Sequence, residues 1–235
     1  MATFVLGDIH GAYKALDQCI DRSKFDFKND TLIFLGDVCD RYPETVACID
    51  LLITIPKLVP LLGNHDLWLK MWLEGKFFDY EVWWKQGGDL TMKEYSESPL
   101  FDDLKKKHLN NYFSKTQLYH KDDQNRVFVH AGFDYREPIE NSTERFLLWE
   151  RDLYEAAVHY DQQNIAFPIS KPYNEIYIGH TPTHKLIPRY GGNRPLKFCN
   201  VWCMDQGAGW GNRLSMMNVD TKEIFQSDPV DKLYN

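Results

Sequence analysis

This 235-residue sequence predicts an α/β fold, and two patterns predict it. In the first, short apolar runs rich in strand formers alternate with stretches of helical period over residues 2–62, and strand, helix, strand, helix, strand makes two parallel crossover units. In the second, five apolar runs along the chain each end in a small residue next to Asp, Asn or His. Such strand ends gather polar side chains on one sheet edge, the edge at which open α/β sheets bind ligands. Glycines there let the backbone crowd together.

Residues 2–6 read as a first buried strand running into Gly7-Asp8-Ile9-His10-Gly11. Over residues 12–22, Ala15, Leu16, Cys19 and Ile20 recur at helical spacing. Residues 31–35 form the second strand and open into Gly36-Asp37-Val38-Cys39-Asp40-Arg41. Pro43 suits the first turn of a helix running to about residue 55. Residues 58–62 make the third strand and lead to Gly63-Asn64-His65-Asp66. Residues 67–121 leave the sheet pattern and are rich in aromatics, among them Trp68, Trp72, Trp83 and Trp84. Two to four helices are expected there, beside the ligand-bearing edge. Trp68 and Trp72, four apart, read first as helix-core packing and alternatively as a substrate-contacting wall. Strand 126–129 ends at His130-Ala131-Gly132, residues 144–160 read as one helix carrying Trp149-Glu150-Arg151-Asp152, and strand 175–178 precedes Gly179-His180-Thr181. Residues 186–190, 197–204, 214–219 and 224–226 look like short antiparallel strands. With no repeat, linker or low-complexity tract, residues 1–235 are expected to form one domain, with 67–121 as a helical insertion.

The ordered set of GDIHG, GDVCDR, GNHD, HAG and GHT, spanning residues 7–181, resembles the calcineurin-like metallophosphoesterases. Within them it most resembles the phosphoprotein phosphatases, especially compact bacterial and phage members, and residues 203–215 resemble that family's closing strands. The resemblance implies a sandwich of two mixed β-sheets packed face to face, helices outside, with the site at their shared edge. It implies that Asp8, His10 and Asp37 hold one divalent metal ion and that Asp37, Asn64, His130 and His180 hold a second. Mixed carboxylate, amide and imidazole donors suit manganese, the first choice, or iron or zinc, better than calcium. A hydroxide shared by the two ions would attack phosphorus in line with the leaving group. His65 would protonate the leaving oxygen as general acid, and Asp40 would orient His65, unless Asp40 is only a turn or cap residue. Arg41 would grip the phosphate with its fork of donors. Arg151 would be a second arm, or else a surface ion-pair partner of Glu150 or Asp152.

Some positions depart from the family pattern. Tyr42 follows the Asp-Arg pair where most relatives have glycine, and Asp66 ends the third motif where relatives acting on phosphoproteins often have glutamate. Residues 199–212 are too short for the long loop of the eukaryotic enzymes, so their toxin and regulatory-subunit surfaces are expected to be absent. The leading expectation is a two-metal phosphomonoesterase, a Ser/Thr protein phosphatase of broad specificity. The alternative is a hydrolase of dinucleoside polyphosphates of the diadenosine tetraphosphate type, with residues 67–84 stacking on adenine. Pro182, where phosphodiesterase relatives carry a histidine, and Arg41, suited to a terminal phosphate dianion, speak against a phosphodiesterase or nuclease. A catalytically silent phosphate-binding scaffold would have lost a ligand or the acid, and none is missing.

Composition bounds the remaining choices. Hydrophobic content of 43% and charged content of 26% are ordinary for a globular chain long enough to bury a core. A net charge of −7 and a pI near 5.6 argue against nucleic acid as the main partner. Two divalent cations would still reverse the local field for a phosphate. The five cysteines read as reduced thiols of a cytoplasmic protein. Residues 2–6 are too short for a signal peptide, and Pro56, Lys57 and Pro60 break the most apolar stretch, so no membrane span is expected. The expected substrate is a phosphorylated protein or a small phosphorylated metabolite, with no obligate partner.

Overall fold

Successive residues of the central strands are apolar on opposite sides, so each sheet must be covered on both faces. The computed structural model, which describes residues 1–169, 171–183 and 194–235, shows how. In chain order the strands are β1 (Thr3–Leu6), β2 (Thr31–Phe34), β3 (Leu58–Pro60), β4 (Tyr119–Lys121), β5 (Arg126–Val129), β6 (Glu175–Ile178), β7 (Leu196–Phe198), β8 (Val201–Cys203), β9 (Ser215–Asn218) and β10 (Ile224–Gln226). They make two five-stranded sheets, ordered β10-β9-β1-β2-β3 and β4-β5-β6-β8-β7. β1, β2 and β3 are parallel in the first, and β5, β6 and β8 in the second, with antiparallel strands at the margins.

Alternation along each strand builds the layers. Val5, Ile33 and Met217 face inward and meet Phe128 and Tyr177 of the other sheet, whose rings stack 4.8 Å apart. Phe4, Leu6, Leu32 and Phe34 point the other way, onto α1 (Tyr13–Ser23) and α2 (Thr45–Ile53). Val127, Val129, Ile176 and Ile178 point outward in the second sheet, onto Leu153, Tyr154 and Ala157. The result is the expected sandwich of two mixed sheets flanked by helices. Among the described residues no helix is long and apolar enough to cross a membrane, and the five cysteines are free thiols.

The insertion contains α3 (Asn64–Leu73), α4 (Tyr80–Trp83), α5 (Asp89–Ser96) and α6 (Phe101–Asn111), then returns through β4, a strand the sequence did not suggest. α3 starts inside the third motif, so Asn64 and His65 ride on its first turn. The insertion is fastened to the sheet layers by polar bonds as well as packing. Glu94 of α5 accepts the backbone N–H groups of Thr45 and Val46 at 2.8 and 3.0 Å, capping α2 from outside.

Two other expectations need correction. The single helix expected over 144–160 is two, α7 (Glu144–Trp149) and α8 (Asp152–Gln163), because Glu150 is extended at φ −76° and ψ 147°. The strand expected over 197–204 belongs to the β7–β8 hairpin, which turns at Cys199 with φ 52°. The strand expected over 186–190 lies outside the described residues. A short helix, α9 (Val230–Leu233), ends the chain.

Replacing Glu94 by alanine removes the acceptor for two helix-start N–H groups, a cap-like loss of about 1–2 kcal/mol. Urea unfolding should show that loss for Glu94→Ala. It should show almost none for Glu97→Ala, whose exposed carboxylate meets only Lys93 at 4.0 Å.

Candidate active site

Six of the parallel strands end on one edge, and their following loops supply the site: Asp8 and His10 after β1, Asp37 to Arg41 after β2, Asn64 and His65 after β3, His130 after β5, His180 after β6, and Asp205 after β8. All ten residues predicted from sequence are brought to this edge or its rim. His10, Asp37 and His65 place ligand-type atoms within 4.8 Å of one another, as do Asp37, His130 and His180. Asp37 is common to both groups. Asp8 sits beneath His180, whose backbone N–H donates to its Oδ2 at 3.0 Å. A Cβ on Gly179 would lie 2.2 Å from Asp8 Oδ1, and one on Gly63 would lie 2.1 Å from Asp37 Oδ1. Only glycine allows either carboxylate its place.

The loops interlock through backbone groups. Ile9 and His10 donate to the Asp37 carbonyl at 3.1 and 2.9 Å. Asp66, fully buried, accepts the N–H groups of Asp37, Val38 and Gly63 at 2.8, 2.7 and 3.0 Å. This position, noted in the sequence for lacking glutamate, faces the protein interior. His10, Asp37, Asp40, Arg41 and His180 all have positive φ, between 53° and 76°, a region rare for residues with a side chain and typical of functional sites.

Electrostatics favour bound cations. Burial, then Asp205 and Asp37, push the Asp8 carboxyl well above its ordinary value. Burial opposes ionisation of Asp37 as well, but His130, His65 and His10 around it hold its carboxyl below the usual range. Burial, with His65 nearby, lowers His10 to about 3, and burial with His130 nearby lowers His180 to about 3. Burial also lowers His130. These rings are therefore neutral, each with one ring nitrogen carrying a lone pair. His10 Nδ1 and His130 Nδ1 each lie 2.9 Å from a backbone carbonyl, of Cys39 and Leu35, so those nitrogens carry the proton and Nε2 faces the centre. His130 Nε2 then lies 3.0 Å from Asn64 Oδ1, lone pair against lone pair, and a cation between them satisfies both. His180 Nε2 donates to the Trp149 carbonyl at 3.2 Å, which leaves Nδ1 free. The break between α7 and α8 aims that carbonyl at His180.

His65 differs from the others. Burial opposes its charge, but Asp37 and the bond to Asp40 outweigh burial and raise it above its ordinary value. Its Nδ1 lies 2.5 Å from Asp40 Oδ2. Asp40 is fully buried and is no simple turn residue. A cavity of about 470 Å³ opens above, lined by His10, Asp37, Asn64 and His65 below and by Arg41, Arg151 and three tryptophans at the sides. Arg41 stacks on Trp210, its guanidinium carbon 4.1 Å from the ring centroid, and donates to Gln86 at 3.1 Å. Glu150 pairs with Arg145 at 3.0 Å, and Arg151 lines the cavity at the start of α8.

A family model for calcineurin-like phosphoesterases matches residues 1–204. The chain belongs to that family. A symmetrical bis(5'-nucleosyl)-tetraphosphatase of Actinobacillus succinogenes is 25% identical, aligned over 99% of this chain and 98% of that protein. One of Dechloromonas aromatica is 37% identical over 102 residues, which is 42% of this chain and 34% of that protein. The crystal structure of a proposed diadenosine tetraphosphatase shares the fold at 17% identity, with a TM-score of 0.67 over 95% of this chain and 91% of that one.

These relatives overturn the expectation of a Ser/Thr protein phosphatase and favour the alternative reading, a hydrolase of dinucleoside polyphosphates. The motifs that suggested a protein phosphatase fall within the stretch matched by the family as a whole and do not separate the two readings. Sequence reading passed over most of the cavity's side walls. Trp68, expected first as core packing, lines the cavity and lies edge-on to His65 at 5.1 Å. Trp149 was visible beside Arg151, and Trp210 stands between Gly209 and Gly211, a spacing that marks a tight turn. Asp205, buried near Asp8, went unremarked inside the closing-strand motif.

Calcineurin-like phosphoesterases are metal-dependent, and the donor set here fits two divalent ions. Wild type reconstituted with manganese should hold two ions per chain by elemental analysis and melt higher than the stripped protein. Asp37→Asn should lose both ions, and His180→Ala one. Retention of two ions by Asp37→Asn would show that Asp37 does not serve both positions.

Proposed function

We propose that this phosphoesterase hydrolyses dinucleoside polyphosphates at their central anhydride, releasing two nucleoside diphosphates from a tetraphosphate. The observation that carries this reading is the alignment with a symmetrical tetraphosphatase over essentially both full lengths. The cavity agrees with it, since tryptophans 68, 149 and 210 surround the two arginines and offer π faces to a base. Asp8, His10, Asp37, Asn64, His130 and His180 would hold two divalent ions, manganese first, which supply Lewis acidity and a water of lowered pKa.

The chain's own groups then have distinct tasks. Arg41, held by Trp210 and Gln86, presents its remaining donors to phosphate oxygens, and its Nε is buried without a partner in the protein. Arg151 lines the same cavity. Water oxygen forms the new bond to phosphorus as the bridging P–O bond breaks, and the bond's electron pair leaves with the departing nucleoside diphosphate. His65 Nε2 holds a proton for that departing oxygen while Nδ1 stays bonded to Asp40.

A panel of diadenosine tetraphosphate, nucleotides and phosphopeptides with manganese tests the substrate. ADP as the sole nucleotide product of the tetraphosphate is expected. AMP plus ATP, or turnover of phosphopeptides alone, would sink the proposal. The leaving group gives a second test. A nucleoside diphosphate is a weaker base than phenolate, so His65→Asn should cost less on the tetraphosphate than on phenyl phosphate, where the loss should be on the order of 100-fold.

A further inference from the structure

The insertion contributes more than a wall. Asp40 makes four bonds to groups outside its own loop, and all but the one to His65 come from residues of α4 and α5. Its Oδ2 accepts from Trp83 Nε1 at 2.8 Å as well as from His65 Nδ1, and its Oδ1 accepts from Thr91 Oγ1 at 2.8 Å. The Asp40 backbone N–H donates back to Thr91 Oγ1 at 2.9 Å. Trp83 and Thr91 are fully buried. The indole is wedged between Trp72 and Phe78, and a Cβ on Gly88 would lie 2.5 Å from its ring. The turn between α4 and α5, with Gly87 at φ 101°, also reaches Arg41: the Gly87 carbonyl accepts the Arg41 N–H at 3.3 Å, and Gln86 accepts its guanidinium.

From this geometry we infer that Trp83 and Thr91 are positioning residues, which fix the plane of the Asp40 carboxylate and through it the direction of the His65 ring. A carboxylate with a single partner pivots about its Cβ–Cγ bond. Donors on both oxygens remove that pivot, and the oxygen shared by His65 and Trp83 then dictates where the imidazole points. Neither residue touches the cavity, so loss of either bond leaves substrate contacts intact. The effect falls on proton delivery to the leaving oxygen, which matters in proportion to that oxygen's basicity. The inference rests on His65 being the general acid.

Trp83→Phe keeps the ring in its slot and removes only the N–H, and Thr91→Val keeps the shape and removes the hydroxyl. Each should lower kcat on phenyl phosphate about 10-fold, leave KM unchanged, and cost no more than about 2-fold on nitrophenyl phosphate, a fraction of the full general-acid term. Proton NMR of the metal-free protein gives a readout independent of turnover. The downfield His65 Nδ1–H signal, identified by its loss in Asp40→Asn, should shift or broaden in Trp83→Phe. Metal content and melting temperature are measured for each variant, and Thr91→Val carries the test if Trp83→Phe does not fold. Equal losses on both esters, or an unmoved Nδ1–H signal, would overturn the inference. His65→Asn is the control. If it shows leaving-group bias and Trp83→Phe does not, positioning by Trp83 is wrong while the acid stands. If His65→Asn shows no bias, both fail.

Discussion

The carboxylate of Asp66 is what the rest of the site depends on. It is buried beneath the cavity and accepts three backbone N–H groups from two different loops, those of Asp37, Val38 and Gly63. Asp37 in turn takes the N–H groups of Ile9 and His10 on its carbonyl, and its side chain accepts the His65 N–H at 3.0 Å. One carboxyl group, which burial and Asp37 push up to about 7, thus locks the loops after β2 and β3 together, and the Asp37 carbonyl ties in the loop after β1. That over-determination permits five site residues to keep left-handed backbone, each at a cost on the order of 1 kcal/mol or more. Carboxylate-to-amide bonds of this kind are among the stronger ones available to a folded chain, and a buried N–H left without an acceptor is costly.

The same crowding sets the electrostatics. Asp8, Asp37, Asp66 and Asp205 are buried together at the edge of a chain that already carries a net charge of −7. Burial and their mutual repulsion raise the carboxyls of Asp8 and Asp66, a strain that a bound cation would relieve. The imidazoles of His10, His130 and His180 are each held by a backbone carbonyl on one nitrogen, which leaves the other available to a cation. Arg41 and Arg151 bring positive charge to the same cavity. Arg41 is kept there by a ring on one face and an amide at its tip, which restrains a long side chain before any ligand arrives.

Much of this was legible in the sequence, for a definite reason. Strands buried on both faces must be continuously apolar, and polar residues that follow them at once must lie on the sheet edge. That logic located β1, β2, β5 and β6 nearly to the residue and delivered the loops that carry the candidate ligands. It could not show that Glu150 breaks a helix, since nothing in Trp149-Glu150-Arg151 is a breaker; the tertiary demand for a carbonyl at His180 decides it. Nor could it show the bonds from Trp83 and Thr91 to Asp40, which join residues 43 and 51 apart with no local periodicity to announce them. The protein-phosphatase reading failed for a related reason. Ligand-type motifs mark the sheet edge, whereas the cavity walls are assembled from Trp68, Trp149 and Trp210, three residues far apart in sequence.

The insertion ties these two levels together. Trp68, Val82 and Gln86 bring it to the cavity surface, while Trp83 and Thr91 bring the same short run of helices to the back of Asp40. Consecutive residues therefore face the cavity and hold Asp40 from behind. A shift of α4 large enough to accommodate a different group at Val82 or Gln86 would move the indole N–H that Asp40 uses, because Trp83 is pinned between Trp72, Phe78 and Gly88. In a packed interior such elements move as units and do not deform residue by residue. The cavity wall on one side of the turn and the bonds to Asp40 on the other are thus mechanically linked. Under the proposed function the leaving group is a nucleoside diphosphate, which asks little of an acid and would tolerate that linkage better than an alkoxide.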